Sequence, residues 1–482
     1  MTPPVTYGKH VEDAVSGNCL DRISSLPDEL LGLIISFLPT TCAVKASILS
    51  KRWRYLFTLT NCLSFDDKRC PMKNERKEFV RRFKEYVDNV LKLHQMAPIK
   101  KFSLVCHANY HDSDLNRWFS YALQKGVEEL HYKLDQTDCV PNHDGFFTCE
   151  TLMSLKMMGP PDHECYEIEI PLSTSLPKLK ILHLEHILFF DFESMKRLFS
   201  SCELLEELVL NYCYGDIDGH AIHCTRILKA LTIKDCRFLL GTIEIDAPNL
   251  AYLNYSSNIG VRIVPSWKNS CSFEKAKLTF NCSEAEDSDS DTNVNLLEYD
   301  RELLIAAASK VVELRLETDS VQVLLTPDED DEQMPEFHSL SILYLEDFPY
   351  YAWEYVTCLL EKSPKLELLT FESGLHCCQC SDFYCPDNCY DSLPSSDIHL
   401  LPFSCHVGKI EVLKFCGHKG PLSLMGHLLR NASDLGDVCV YTLCDDEDDD
   451  DVEMEKEMKI YRDLLRLPRA SKDCCIEMME LR

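Results

Sequence analysis

The chain has 482 residues, 45% of them hydrophobic, with 79 acidic residues against 49 basic ones and a formal net charge of -30. That length suggests about two to four domains or one elongated array with a sizeable core. So acidic a chain lacks the basic face needed to neutralise nucleic-acid phosphates or an anionic membrane surface, so no nucleic acid and no membrane are expected among its partners.

The first stretch, MTPPVTYGKHVEDAVSGNC, has no apolar centre of a signal peptide. The longest apolar runs, about ten residues, are too short to span a bilayer. Cytoplasm and/or nucleus is the expected location. There the 26 cysteines stay mostly reduced, and many, at apolar positions, act as small hydrophobes. The sequons at Asn254, Asn281 and Asn431 are then chance matches.

The first element is LPDELLGLIISFLP, Leu26 to Pro39, which reads as a helix. Ser25 can cap it, Asp28 three residues on approximates a capping box, Pro27 suits the first turn, and Pro39 ends it. One apolar stripe is Leu26, Leu30, Ile34 and Phe37; a second, Leu31, Ile35 and Leu38, is rotated by about 100°. Two stripes need two neighbours. Thr41 can start a second helix with Ala43, Val44, Ala46 and Leu49 inward. Ser50 can cap a third, SKRWRYLF, carrying Trp53 with Leu56 or Phe57. Three helices in under forty residues make too little core to stand alone, so a stripe is left for another surface, either the rest of the chain or a partner.

The segment DRISSLPDELLGLIISFLPTTCAVKASILSKRWRYLF closely resembles a plant F-box. The resemblance rests on Asp21-Arg22-Ile23-Ser24, Leu26-Pro27-Asp28-Glu29-Leu30-Leu31, Ser36-Phe37-Leu38-Pro39 and Leu49-Ser50-Lys51-Arg52-Trp53-Arg54. It departs at Phe57, where relatives often end with Trp. The resemblance implies a trihelical module that docks on a Skp-type adaptor and, through it, a cullin. It makes the second stripe a docking face, with Leu26, Pro27, Leu30, Ile34, Leu49 and Trp53 docking or shaping the docking module.

A basic run, KRCPMKNERKEFVRRFK from Lys68 to Lys84, leads into a helix with Phe79, Phe83, Val87 and Leu91 on one face. Its charges read as a solvated face. From Ile99 a motif recurs, apolar-x-x-apolar-x-apolar, as in IKKFSL, VEELHY, LKILHL and LEELVL. Its central residues are Phe102, Leu130, Leu155, Leu182, Leu208, Leu231 and Leu253, then Ala276, Leu314, Leu343, Leu369 and Leu413. Steps of roughly 22 to 28 residues, with alternation inside each unit, are the signature of leucine-rich repeats. Each unit stacks on the next into a solenoid, strands lining a concave face and stretches such as FESMKRLFSSC forming the outer layer. An asparagine ladder is lacking, although Asn211 and Asp235 follow two strands at a similar place.

Two acidic inserts stretch the period, SEAEDSDSDTN at 283–293 and PDEDDEQMPE near Asp330, and both read as loops. HCCQCSDFYCPDNCYD, at 376–391, gathers Cys377, Cys378, Cys380, Cys385 and Cys389 beside His376. The spacing is not that of paired C-x-x-C zinc knuckles, so an inert loop is expected rather than a metal site. The chain from about Leu401 resembles the plant FBD domain. The resemblance rests on Val412-Leu413-Lys414-Phe415, Gly417, Gly420, Leu428-Leu429-Arg430-Asn431-Ala432, and Leu467-Pro468-Arg469-Ala470-Ser471 with Cys474. It departs at SSDIHLLPFSC, where relatives have a tryptophan-rich lead-in, and at Pro421-Leu422-Ser423-Leu424. Strands IEVLKF and DVCVYT flanking helix LSLMGHLLRNA look like another repeat that closes the solenoid. The acidic run DDEDDDDVEMEKE reads as a solvated loop.

The expected fold class is α/β: an N-terminal trihelical F-box (20–66), an irregular leucine-rich-repeat solenoid (75–375), a cysteine-rich loop (376–392) and a C-terminal FBD capping module (400–482). No phosphate-binding loop, nucleophile elbow or H-E-x-x-H motif is present, so no catalytic site, cofactor or metal is expected. The resemblance implies a substrate-recognition adaptor subunit of an SCF-type cullin ubiquitin ligase. The alternatives are a Skp-binding interaction scaffold without ubiquitin transfer, and a repeat-based small-molecule receptor. Candidates for contact with a target protein, by geometry, are Lys180, His183, Glu185, Asn211, Thr232 and Lys234.

Overall fold

The computed structural model describes most of residues 25–481. Segments 69–75, 136–143, 217–226, 258–261, 266–273, 281–309, 322–335, 377–402 and 444–449, with some shorter stretches, lie outside the described residues. Both acidic inserts and the cysteine cluster from Cys377 onward fall there.

The organising feature is one fifteen-stranded sheet whose strands all pair in parallel. Eleven of the twelve repeat centres form a single cross-strand row, from Phe102 paired with Leu130 to Leu343 paired with Leu369. All of them are buried. Strand after strand alternates between buried and half-buried residues, because a period of two sends alternate side chains to opposite faces. One face is thus closed over the core and the other left open. The row also has members without an obvious sequence signal. Leu63 pairs with Phe102, and Val438 and Ile476 continue the row at the far end.

Two details differ from the sequence reading. In the last predicted unit Ile410, not Leu413, pairs with Leu369; Leu413 lies beyond the strand Lys409–Val412 and is only half-buried. The motif there is VGKIEV rather than IEVLKF, three residues earlier. The ladder position after the strands is held by cysteine rather than by Asn211 and Asp235. Buried Cys213 donates its S–H to the Leu184 carbonyl at 3.4 Å, and Cys236 donates to that of Leu210 at 3.3 Å, each reaching back one repeat. Asn211 instead faces the open side, at the end of its strand. Just before each cysteine the chain turns left-handed, at Tyr212 and Asp235 (φ 49 and 48°), as it does at His186 (φ 54°) in the preceding repeat. The turn delivers the chain into a second, four-stranded parallel sheet of three-residue strands, including Ile187–Phe189, Tyr214–Asp216 and Arg237–Leu239.

Buried cysteines are also spread along the core, at Cys106, Cys202, Cys405 and Cys474. Burial pushes the Cys202 thiol up to about 12 and that of Cys405 up to about 11, so both are small hydrophobes rather than nucleophiles. The helix Phe192–Ser200 is capped by Asp191, whose carboxylate accepts from the Ser194 N–H at 2.5 Å. Its Met195, Leu198 and Phe199 are buried against the sheet.

The N-terminal helices are α1 (Asp28–Ser36) and α2 (Thr40–Ala46), followed by a 3₁₀ turn, Trp53–Leu59, rather than a third α-helix. Ser50 does accept from the Trp53 N–H, at 3.4 Å. No side chain caps α1. Pro27 holds the cap position, and Asp28 pairs with Arg52 instead of closing a capping box. The next strand, β1 (Cys62–Asp66), lies inside the F-box segment and is also the first strand of the long sheet. The helix α3 (Arg76–Leu93) follows, with Phe83, Val87 and Leu91 buried as its spacing predicts. At the other end, strands Lys409–Val412, Asp437–Leu443 and Cys475–Leu481 extend the sheet in register. The helix Lys419–Asn431 lies between the first two of them. The second half of the late acidic run is helical, opening the helix Asp450–Leu465, where Glu457 accepts from the Thr442 hydroxyl at 2.6 Å.

Candidate docking and recognition surfaces

The helix α1 has two apolar stripes but one covering neighbour. Leu31 and Ile35 are fully buried against the core, whereas Leu30 (47% exposed), Ile34 (44%) and Phe37 (82%) face outward. The assignment of stripes is the reverse of the sequence expectation: the first stripe, not the second, is left open. Gly32 explains how tightly the covered side packs. A Cβ there would sit 2.9 Å from the Leu59 Cβ, so only glycine lets α1 lie on the 3₁₀ turn.

The six sequence-predicted docking residues divide cleanly. Leu30, Ile34 and Leu49 (71% exposed) are presented outward together with Pro27, while Leu26 and Trp53 are half-buried and packed on the core. Leu49 is therefore not an inward residue of α2; Ala43 is. Beside Leu49, Ile48 is 84% exposed, a position that sequence reasoning missed. Its signal was weak, since Ala-Ser-Ile-Leu-Ser continues no clear period.

The module is held against the repeats by polar ties. The Thr40 hydroxyl, buried at the start of α2, accepts from the Ser64 N–H of β1 at 2.6 Å. His94, fully buried beyond α3, donates through Nε2 to the Thr60 carbonyl at 2.5 Å, at the end of the 3₁₀ turn. Arg52 closes the outer edge with bonds to the Asp28 carboxylate, at 2.7–2.8 Å, and to the Leu26 carbonyl.

The open face of the sheet has two distinct halves. In the first lies a cavity of about 370 Å³ lined by His131, Ser154, Lys156, His183, Glu185 and Asn211 among others. Three of the six predicted target-contacting residues, His183, Glu185 and Asn211, thus meet in one place. Thr232 and Lys234 lie one strand further on, with Thr232 paired to Val209 and Lys234 to Asn211. Lys180 precedes its strand and is held by Glu206 at 3.0 Å, away from the cavity. The sequence reading missed His131 and Lys156, which occupy the same strand position as His183 in the two preceding repeats. Aligning the repeats by their central leucines would have found them.

His183 Nε2 bonds Glu207 at 2.6 Å, and His131 Nδ1 bonds the Ser103 hydroxyl at 3.1 Å. Burial first, and then the charge of Lys156, hold the His131 imidazole below its ordinary pKa. His183 is also lowered, by burial that outweighs its bond to Glu207.

In the second half, Glu317, Glu346 and Glu372 crowd together with Lys277 and Arg315. Lys277 bonds Glu346 at 2.6 Å, and Arg315 bonds Glu372 at 3.0 Å while lying 4.5 Å over the Tyr344 ring. Burial pushes the Glu317 and Glu372 carboxyls up. Glu346 is held low, because hydrogen bonds led by Lys277 outweigh its burial. Glu317, the carboxylate left over from these two cations, accepts from the Thr279 hydroxyl at 3.0 Å.

Among the described residues, Asp66, Asp67 and His107 lie close enough to share a cation. The Asp67 carboxylate, however, is already filled by the N–H groups of His107 and Ala108 and the Tyr110 hydroxyl. No helix among the described residues is long and apolar enough to cross a membrane.

Comparison with known proteins assigns both surfaces to one architecture. Residues 23–64 match the F-box domain family, and residues 90–473 match the LRR domain family described as At1g61320/AtMIF1. The LRR match runs through the segment that resembles an FBD domain, as the long sheet does. The chain is 30% identical over 447 residues to the F-box/LRR-repeat protein At3g58930 of Arabidopsis thaliana, covering 88% of this chain and 90% of that protein. It is 31% identical to the putative F-box/LRR-repeat protein At3g58880 of the same plant, over 85% of this chain and 89% of the other. To the F-box protein At3g59000, also from Arabidopsis thaliana, it is 32% identical over 89% and 87%. Proteins of this kind are typically non-catalytic adaptors. The N-terminal helical segment with its uncovered stripe and the parallel sheet built on one leucine row therefore have a common explanation: the chain belongs to the F-box/LRR-repeat family.

Proposed function

We propose that the chain is the substrate-recognition subunit of an SCF-type cullin ubiquitin ligase. Its F-box docks on a Skp-type adaptor and through it on a cullin, and the open face of the repeats holds a target protein. The chain performs no chemistry itself. It raises the effective concentration of a target lysine near the carrier of ubiquitin, as any scaffold that joins two binding modules does. It works in the cytoplasm or nucleus, and its FBD-like C-terminal segment closes the open end of the sheet.

The observation that carries the reading is the exposed stripe Leu30, Ile34 and Phe37 on a helix whose Leu31 and Ile35 are fully buried on the opposite side. Covering such side chains stabilises a complex by roughly 1.5–3 kcal/mol each in gross terms, offset in part by the cost of association. The ties from Thr40 and His94 to the repeats favour transmission of adaptor geometry to the target face.

The test is co-purification with a plant Skp-type adaptor, comparing the intact chain with a Leu30→Asp, Ile34→Asp double variant, both checked by circular dichroism. Binding by the intact chain and none by the folded variant is expected. If neither binds while both are folded, the docking role of α1 is wrong.

A further inference from the structure

The cavity on the first half of the open face has a charge pattern unlike its surroundings. Along this face Lys101 is paired with Glu129 at 3.1 Å, Lys133 with Asp135 at 3.4 Å, and Lys277 with Glu346 at 2.6 Å. Lys156 lines the cavity and makes no ion pair among the described residues. It stands between two histidines in one cross-strand row, His131 on one side and His183 on the other. The Ser103 hydroxyl engages His131 at Nδ1, which leaves Nε2 as the ring's other hydrogen-bonding atom. Of the carboxylates in the lining, Glu129 is held by Lys101, whereas Glu185, 3.9 Å from a His186 imidazole that burial keeps neutral, retains its charge at the cavity's edge.

A lysine ammonium without an ion-pair partner among the described residues, in a chain of net charge -30, lines the cavity between two imidazoles. The complementary ligand carries an oxyanion. An acidic or phosphorylated side chain supplies one. The volume, about 370 Å³, is ample for one such residue. Partial burial makes the contact count, since charge-assisted bonds to oxyanions are roughly twice as strong as neutral ones.

We propose that this cavity is an oxyanion-recognition site, in which Lys156, assisted by His131 and Ser154, holds an anionic side chain of the target. The proposal rests on the reading of the repeats as a target-binding surface, and it adds the chemistry that the surface selects.

The experiment uses the full chain in complex with a Skp-type adaptor. Inorganic phosphate and acetate are titrated separately at constant ionic strength, and thermal stability and binding heat are followed. Four proteins are compared: the parent, Lys156→Met, Lys156→Arg, and Lys180→Met as a control outside the cavity. Phosphate is expected to stabilise the parent, Lys156→Arg and Lys180→Met, with affinity lowered at least about tenfold in Lys156→Met. Stabilisation by phosphate alone assigns a phosphorylated side chain. Stabilisation by acetate as well assigns a carboxylate. No anion effect on the parent, or an equal effect on Lys156→Met, overturns the proposal. Adaptor co-purification is read in the same samples, so loss of anion binding with the complex intact condemns the site and not the adaptor role.

Discussion

Two apolar helices stand near the two ends of the molecule, α1 and the helix Lys419–Asn431. Both carry large apolar residues in adjacent pairs four apart, Leu30-Leu31 and Ile34-Ile35 in α1, and Leu424-Met425 and Leu428-Leu429 in the other. In the structure Leu424, Met425, Leu428 and Leu429 of the C-terminal helix are all buried, whereas Leu30, Leu33 and Ile34 of α1 are roughly half exposed. The difference lies in what the chain supplies as a second layer. The C-terminal helix is covered from behind by the segment after residue 465. Leu467 lies 3.3 Å from where a Cβ on Gly426 would be, the Ala470 N–H donates to the Leu429 carbonyl, and the rings of Trp353 and Phe403 face His427. For α1 no such layer exists among the described residues. An apolar helix is thus a docking element when its chain leaves one face unpartnered, and apolar content alone does not reveal which case holds.

The sharpest way to break this comparison is to charge each helix in turn. Leu30→Asp with Ile34→Asp should lower adaptor affinity at least about a hundredfold, in the range of lost interface hot spots, and leave the melting temperature nearly unchanged. Loss of cooperative unfolding in that variant would mean that the exposed stripe is part of the core. Leu428→Ala should do the converse: destabilise by about 2–5 kcal/mol in denaturant titration, as buried leucine truncations do, with adaptor binding retained by the folded fraction. A third variant tests the seating of α1. In Gly32→Ala the new methyl meets Leu59 at 2.9 Å, so the helix must back away from the 3₁₀ turn. A loss of about 1–3 kcal/mol, with weakened adaptor binding, is expected. Unaltered stability and binding would show that the two elements slide freely.

The same comparison marks how far the sequence could be read. The leucine row was legible because a packed parallel array needs one apolar residue per strand at a fixed place, and eleven centres from Phe102 to Leu369 kept it. The unit at Ile410 was misplaced by three residues because Val407, Ile410 and Leu413 are all apolar at the same spacing, and only pairing with Leu369 decides among them. The ladder cysteines were hidden for a different reason. A buried S–H that reaches back to a carbonyl one repeat earlier has no local signature, while Asn211 and Asp235 nearby carried the more familiar letters. At the candidate recognition site, His183, Glu185 and Asn211 were found by their strand positions. Lys156 was within reach of the same alignment; what sets it apart, the lack of an ionic partner among the described residues, is not recorded in a sequence. In α1 both stripes were visible, but which of them the 3₁₀ turn covers depends on Gly32 and Leu59, twenty-seven residues apart.

The smallest effect concerns the joint between the two regions. His94 is fully buried, its Nε2 bonded to the Thr60 carbonyl and its Nδ1 buried without a partner. Burial holds the imidazole below its ordinary pKa, outweighing its bond to the Thr60 carbonyl. The unfolded chain takes up that proton at about pH 6.5 and the folded chain only at lower pH. The stability from the neutral ring is therefore complete above about pH 6.5 and is lost as pH falls toward the folded value. His131, His183 and His186 are lowered as well and act with the same sign. The raised carboxyls of Asp67, Glu317 and Glu372 act with the opposite sign, because the folded state holds their protons more readily, and their window starts from the ordinary carboxylate range near about pH 4. The melting temperature should fall on acidification from about pH 7.5 to 5.5, each unit of separated pKa corresponding to about 1.4 kcal/mol. In His94→Leu the whole curve should lie lower, because the Thr60 carbonyl loses its donor, but it should be flatter across this window. Parallel curves for the two proteins would remove His94 from the account and leave the open-face histidines as the source of the slope. A flatter variant curve would make the joint between docking module and repeats the place where mild acid first loosens the molecule.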